Sequence, residues 1–368
     1  MAVNPLLRLG ELGQSPWYDF ITRELVASGE LARLIRDDGL RGLTSNPTIF
    51  EKAVQASADY DDEIRRLAEA GRAPAEVFEA LAVDDVRAAC DAFRPVHDAT
   101  AGVDGLVSIE VNPELADDAA GTIAEAERLW AAIGRPNAMI KIPGTLPGLR
   151  AIEQCIADGL NVNVTLLFEV ARYEEVMEAF LRGLERRTEA GHPVDHVASV
   201  ASFFVSRVDT MVDGQLAHAG APEALLHTAA VANAAMAYAA FQRTFRAPRW
   251  HRLAARGAKV QRPLWASTST KDPRLPDTFY VEALVAADTV NTLPPDTFAA
   301  YRDHGRPEPR IEQAIAEAPA RLRALSEAGV DLGQVTRALE VDGVAKFAAS
   351  YRALLAGIES KTAALTAG

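Results

Sequence analysis

The sequence predicts an α/β protein: a single (β/α)8 barrel with extra helices, including a helical C-terminal segment. Three observations predict it. Segments of strand character recur eight times between Ser15 and Pro294, with helical stretches between nearly every pair. Alternating strands and helices over this length give a parallel sheet, and eight such units close on themselves. An open doubly wound sheet is the competing architecture, but its G-x-G-x-x-G turn after the first strand is absent. No internal repeat, linker or low-complexity stretch divides the 368 residues, so residues 1–368 are expected to form one domain.

The elements follow in order. Residues 1–14 read as a lead-in, and Ser15–Phe20 as an aromatic first strand. Residues 21–38 have helical apolar spacing (Ile21, Leu25, Leu31, Leu34, Ile35) with a break at Gly29. Gly42–Pro47 is a strand stopped by Asn46-Pro47, and Thr48–Glu51 restarts as a helix on a capping-box pattern. Two or three helices fill 57–98, broken near Gly71–Pro74. Val107–Pro113 alternates cleanly, with Ser108, Glu110 and Asn112 on one face. An amphipathic helix over 119–133 ends at Gly134. The Lys141 strand follows, bounded by Pro143-Gly144, and then a helix over 147–158 closed by Gly159. Asn161–Phe168 alternates, with Asn161, Asn163 and Thr165 polar; a helix covers 169–188. Residues 197–205 form a strand running into Ser206-Arg207, and 222–245 is a long helical region. Pro263–Lys271 reads as a strand with a polar end, 277–287 as helix, and Asp288–Pro294 as the last strand. The rest is helical. Residues 309–368 form an extension expected to pack on the barrel, with Ile311, Ile315, Leu322 and Leu325 at helical spacing.

Composition narrows the class. Hydrophobic residues make up 49% and charged residues 24%, the balance of an ordinary globular protein. A net charge of −13 argues against a nucleic-acid partner, which calls for a basic face. Cys90 and Cys155 are too few for a disulfide framework and read as reduced core residues in a cytoplasmic protein. No start resembles a signal peptide, and no apolar run approaches the roughly 18 residues of a membrane span.

Lys141 organises the functional reading. It sits mid-strand in Ala-Met-Ile-Lys-Ile-Pro, on the face opposite Ile140 and Ile142. Burial removes its hydration, which favours a neutral amine, a nucleophile able to condense with a carbonyl. A snorkelling lysine on an edge strand is the plain alternative. Other polar residues fall where a barrel normally packs Val, Ile and Leu: Asp19, Asn46, Glu110, Asn163, Thr165, Ser202, and the alternate positions Ser267, Ser269 and Lys271. Each buried polar group without a partner costs roughly 1–3 kcal/mol. Their clustering near strand ends is explained most economically by a polar ligand. Glu110 and Asp19 are candidate acid and base for Schiff-base chemistry, and Arg207 and Lys271 suit a phosphate at the mouth. Together they suggest a sugar-phosphate ketol.

Six stretches in order resemble transaldolase: Thr44–Pro47, Glu110-Val111, Ile140–Ile142, Asn163–Phe168, Ser202–Arg207 and Ala266–Lys271. The chain is most similar to the transaldolase half of fusions with glucose-6-phosphate isomerase. The resemblance implies a cofactor-free, metal-free class I aldolase mechanism of the pentose phosphate pathway. A dihydroxyacetone unit would pass from sedoheptulose 7-phosphate to glyceraldehyde 3-phosphate, giving erythrose 4-phosphate and fructose 6-phosphate. Position by position, Lys141 matches the Schiff-base lysine and Asp19 the acid/base acting on the C4 hydroxyl. Glu110 and Thr165 match the pair that positions a water. Asn46, Asn163 and Ser202 match residues holding dihydroxyacetone, and Arg207 matches a phosphate arginine. Lys271 stands where the family has a second arginine, and Ser267 and Ser269 both remain eligible for the serine before it.

Plainer roles compete. Asn46 reads equally as a helix cap, Glu110 as half of a buried ion pair, and Arg207 and Lys271 as surface ion-pair partners. Tyr173 and Trp265 read as packing, and the seven histidines show no metal spacing. Two rival functions are an aldolase releasing free dihydroxyacetone and a non-catalytic sugar-phosphate binder. Monomer and homodimer both remain open.

Overall fold

A computed structural model describes residues 4–366. Chain order begins with α1 (Pro5–Glu11), β1 (Gln14–Asp19), α2 (Arg23–Ala27), α3 (Glu30–Asp37), β2 (Gly42–Thr44) and α4 (Pro47–Ala56). Next come α5 (Asp61–Glu69), α6 (Pro74–Ala99), β3 (Leu106–Glu110), α7 (Ala119–Ile133), β4 (Ala138–Pro143) and α8 (Leu146–Asp158). β5 (Val162–Leu167), α9 (Val170–Glu189), β6 (Ser199–Phe204), α10 (Ser206–His218), α11 (Ala229–Thr244) and α12 (Pro248–Ala254) follow. The series ends with β7 (Gln261–Ala266), α13 (Phe279–Ala283), β8 (Thr289–Leu293), α14 (Pro295–His304), α15 (Ile311–Glu327) and α16 (Leu332–Thr366). The eight strands run parallel in sequence order, and β8 pairs with β1 to close the barrel.

Local signals explain most boundaries. Asn46 caps α4 by accepting from the Ile49 amide at 3.0 Å, with Pro47 in the first turn. The cap therefore lies two residues earlier than the Thr48 capping box suggested; the Thr48 hydroxyl instead donates to Ser350. Gly159 ends α8 at φ +91, and any side chain there would strike the Arg187 guanidinium. Gly42, opposite Trp17 in the β1–β2 register, leaves room for its indole.

Four expectations need correction. The lead-in contains a helix, α1, capped by Asn4. A further helix, α10, follows β6, where none was expected. The segment Glu223–Thr244 is long and apolar enough by composition to cross a membrane, so the claim that no such run exists fails. It is not one continuous helix, because His227 at φ +59 separates a turn at Glu223–Leu225 from α11. Most of its alanines, from Ala229 to Ala240, are buried, and α11 packs against α9 and α15. Finally, β7 stops at Ala266, and Ser267 takes φ +56. That turn ends the alternation, so Ser269 and Lys271 are loop residues.

The barrel interior is layered. Near the N-terminal ends of the strands, buried Arg262 donates to Ser15 at 2.8 Å and pairs with Asp104 at 2.9 Å. Apolar interior side chains such as Trp17, Met139 and Leu264 lie above this plug. The polar layer sits at the C-terminal ends. α16 packs on α4, α5, α6 and α10, so the C-terminal helix also bears on that end.

Candidate active site

Parallel register brings the polar ends into one layer. Glu110 is level with Lys141, Lys141 with Asn163, and Pro143 with Thr165. Lys141 is 5% exposed, which rules out the snorkelling alternative. Its Nζ donates to the Ser45 carbonyl at 3.2 Å and lies 3.8 Å from Glu110 Oε2. The second distance is too long for a hydrogen bond. Glu110 Oε2, in ion-pair range of Lys141, and the Thr165 hydroxyl are both buried without a hydrogen-bond partner within the protein. Burial pushes the Glu110 carboxyl up to about 7; Lys141 opposes the rise and Asp19 adds to it.

Two hydrogen-bond chains flank the lysine. Asp19 accepts from Thr44 at 2.7 Å, and Thr44 shares a 2.9 Å bond with Thr292. Ser202 donates to Asn163 at 2.7 Å, and the Asn163 amide donates to Ser108 at 3.0 Å. Thr165 is aimed by an irregularity: β5 slips register against β6 between Val164 and Leu167, and Leu166 sits at φ +60. A bulge of this sort redirects a side chain beside a site.

A cavity of about 270 Å³ joins these groups; Asp19, Asn46, Lys141, Thr165, Ser202 and Arg207 line it. Ser267, Ser269 and Lys271 also reach it, from the loop after β7. A larger cavity of about 650 Å³ lies alongside, its wall a mixture of apolar residues such as Phe50, Phe78 and Leu129 and charged ones such as Glu79, Glu125 and Arg128. Asn46 lines both cavities and Glu110 the larger one, while Lys141, Arg207 and Lys271 open into the smaller. Arg207 Nη1 is buried without a partner, and burial lowers its pKa. Burial and the neighbouring Arg207 lower that of Lys271, whose Nζ donates to Ser269 at 2.7 Å. Two adjacent cations, one carrying an unpartnered buried donor, fit an anion.

Every residue singled out in the sequence thus borders the layer, and Asn46 caps α4 while also facing the cavity. Thr44, Ser45, Ser108, Thr292 and Phe347 were missed. Ser108 was legible, since it shares the face of Glu110; Phe347, far downstream on α16, carried no local signal. His227 was also missed. It bridges Asp213 at 2.7 Å and Asp272 at 3.3 Å, fastening the Lys271 loop near α10.

A closed eight-stranded barrel with its polar groups gathered at the C-terminal ends has the layout of a barrel enzyme. A family model described as Transaldolase/Fructose-6-phosphate aldolase matches residues 16–358. The chain is 54% identical over 359 residues to a transaldolase of Acidothermus cellulolyticus, with 96% of each chain covered. It is 52% identical to a transaldolase of Parafrankia sp., again over 96% of each, and 44% identical to Transaldolase 2 of a Nostoc species along the full length of both. The chain belongs to the transaldolase/fructose-6-phosphate aldolase family and is an enzyme of the transaldolase type.

Proposed function

We propose that Lys141 forms a Schiff base with a ketose phosphate and transfers its dihydroxyacetone unit to an aldose phosphate. Sedoheptulose 7-phosphate is the donor and glyceraldehyde 3-phosphate the acceptor, in the cytoplasmic pentose phosphate pathway. The Lys141 amine attacks the ketose carbonyl, and the carbinolamine loses water to give an iminium. Asp19 takes the C4 hydroxyl proton as the C3–C4 bond breaks. The bonding electrons pass into the iminium, leaving an enamine, and erythrose 4-phosphate departs. The enamine carbon then bonds to the acceptor aldehyde, and hydrolysis frees fructose 6-phosphate.

Glu110 and Thr165 hold the water of the dehydration and hydrolysis steps, where both their unpartnered oxygens find a partner. A carboxyl near 7 can both give and take a proton at neutral pH. Asn46, Asn163 and Ser202 hold the dihydroxyacetone part. Arg207 and Lys271 hold the phosphate, with Ser267 or Ser269 beside them. Residues 309–368 act with the barrel as one unit.

The observation that carries this reading is the buried Lys141 amine 3.8 Å from a buried carboxyl at the end of the barrel. Borohydride reduction in the presence of fructose 6-phosphate, followed by peptide mapping, tests it. A stable adduct on Lys141 is expected, and none in Lys141→Met. Folded protein that binds substrate and yields no adduct overturns the mechanism.

A further inference from the structure

The two cations at the mouth come from separate elements. Arg207 stands in the first turn of α10, and Lys271 on the loop after β7. Two fixed points bracket the stretch that carries Lys271. At its start, buried Thr268 donates to Asn291 at 3.1 Å, and Ser267 shares a 2.9 Å bond with Ser206 of α10. At its end, Asp272 lies 3.3 Å from His227 Nε2, while His227 Nδ1 lies 2.7 Å from Asp213 of α10. The Asp213 carboxylate also accepts from the His227 amide at 3.0 Å. Between these points Lys271 is exposed, and its ammonium donates to Ser269 of the same stretch. A further bond to α10, from Tyr280 to Asp209 at 2.9 Å, comes only after a largely exposed turn over 273–277.

Both ring nitrogens of His227 face a carboxylate, and both donate only when the ring carries its second proton. The ring then joins the helix of Arg207 to the residue next to Lys271. It acts against a repulsion, because Arg207 lies near enough to disfavour the charge on Lys271. Without the bridge, the exposed stretch relieves that repulsion by swinging outward, and a bound phosphate must draw it back. With the bridge, this ordering is complete before the ligand arrives. We propose that His227 is a positioning residue: by clasping Asp272 to Asp213 it holds Lys271 beside Arg207 and so sets the affinity for the ketose phosphate group. This rests on the phosphate assignment of Arg207 and Lys271 above. His227 does not line the cavity, so its effect reaches the substrate through the loop.

The test measures KM and kcat for fructose 6-phosphate and for fructose, with glyceraldehyde as acceptor so that only the first donor brings a phosphate. In His227→Asn the new side chain tolerates the left-handed backbone at φ +59 but is too short to bridge both aspartates. Asp272→Ala cuts the same bridge from the loop and decides alone if His227→Asn does not fold. Either variant should raise KM for fructose 6-phosphate about threefold with kcat retained, and leave KM for fructose unchanged. Added to Lys271→Ala, His227→Asn should change nothing more, because the cation it positions is gone. If Lys271→Ala raises KM and neither bridge variant does, the role of His227 is overturned and the phosphate assignment stands. Equal rises on both donors, or a rise that adds to that of Lys271→Ala, mean general loosening and overturn it too. If Lys271→Ala itself leaves KM unchanged, the phosphate assignment of Lys271 fails, and this inference with it.

Discussion

Replacing Glu110 by glutamine removes one titrating carboxyl and keeps its shape. Burial raises that carboxyl from an ordinary 4.5 to about 7. At about 1.4 kcal/mol per pH unit, the gap is worth about 3 kcal/mol. The folded protein holds the proton more tightly than the unfolded chain. Stability from this group is therefore full below about pH 4.5 and falls as pH rises towards 7, above which both states are ionised. The glutamine side chain does not titrate, so the variant escapes the loss. Urea unfolding of both proteins at pH 4.5, 6 and 8 gives the difference directly. Relative to wild type, Glu110→Gln should gain about 3 kcal/mol between the lowest and highest pH. The same titration should appear in the wild-type rate profile near neutrality and vanish in the variant. A stability difference that stays flat within about 1 kcal/mol would refute the claim that burial holds this carboxyl protonated.

Other outcomes follow from the same geometry. Arg207→Ala should raise KM for phosphorylated ketoses roughly 10- to 100-fold, and exposed Lys271→Ala should raise it less. An unphosphorylated ketose should show neither effect, and equal losses on both substrates would remove the phosphate assignment. Asn46→Ala should cost about 1 kcal/mol of stability through the lost cap on α4 and weaken substrate binding. Asn46→Asp keeps the capping oxygen, so it should restore stability in thermal melts without restoring KM. Asp104→Ala leaves Arg262 buried without its carboxylate and should cost roughly 3 kcal/mol, with kcat per folded molecule unchanged because that plug faces away from the site.

The barrel was legible because its signals are local. Strands buried on both faces, glycine stops and prolines in first turns are written within a few residues of where they act. Lys141 stood out as a cation inside an apolar strand, and Glu110 and Thr165 as polar residues at alternate positions. What was lost depends on turns and on distance. Ser267 leaves the extended conformation without a glycine to announce it, so alternation was carried too far along β7. α10 begins directly at the end of β6, with no side-chain cap to mark its start. Glu223–Thr244 satisfied a composition that a buried alanine-rich helix shares with a membrane span. Phe347 meets Lys141 across some two hundred residues, and only packing of the C-terminal helix reveals the pair.

The Arg262–Asp104 plug has a bearing on traffic. It stops the barrel interior at one end, so the cavity holding Lys141 is a cul-de-sac rather than a corridor. A donor and an acceptor that react at Lys141 share one doorway, and the first aldehyde must back out before the second can come in. Double-reciprocal plots at several acceptor concentrations should then be parallel lines, and excess acceptor should compete with donor for the unmodified enzyme. The order of events would be imposed by architecture as much as by the chemistry of the lysine.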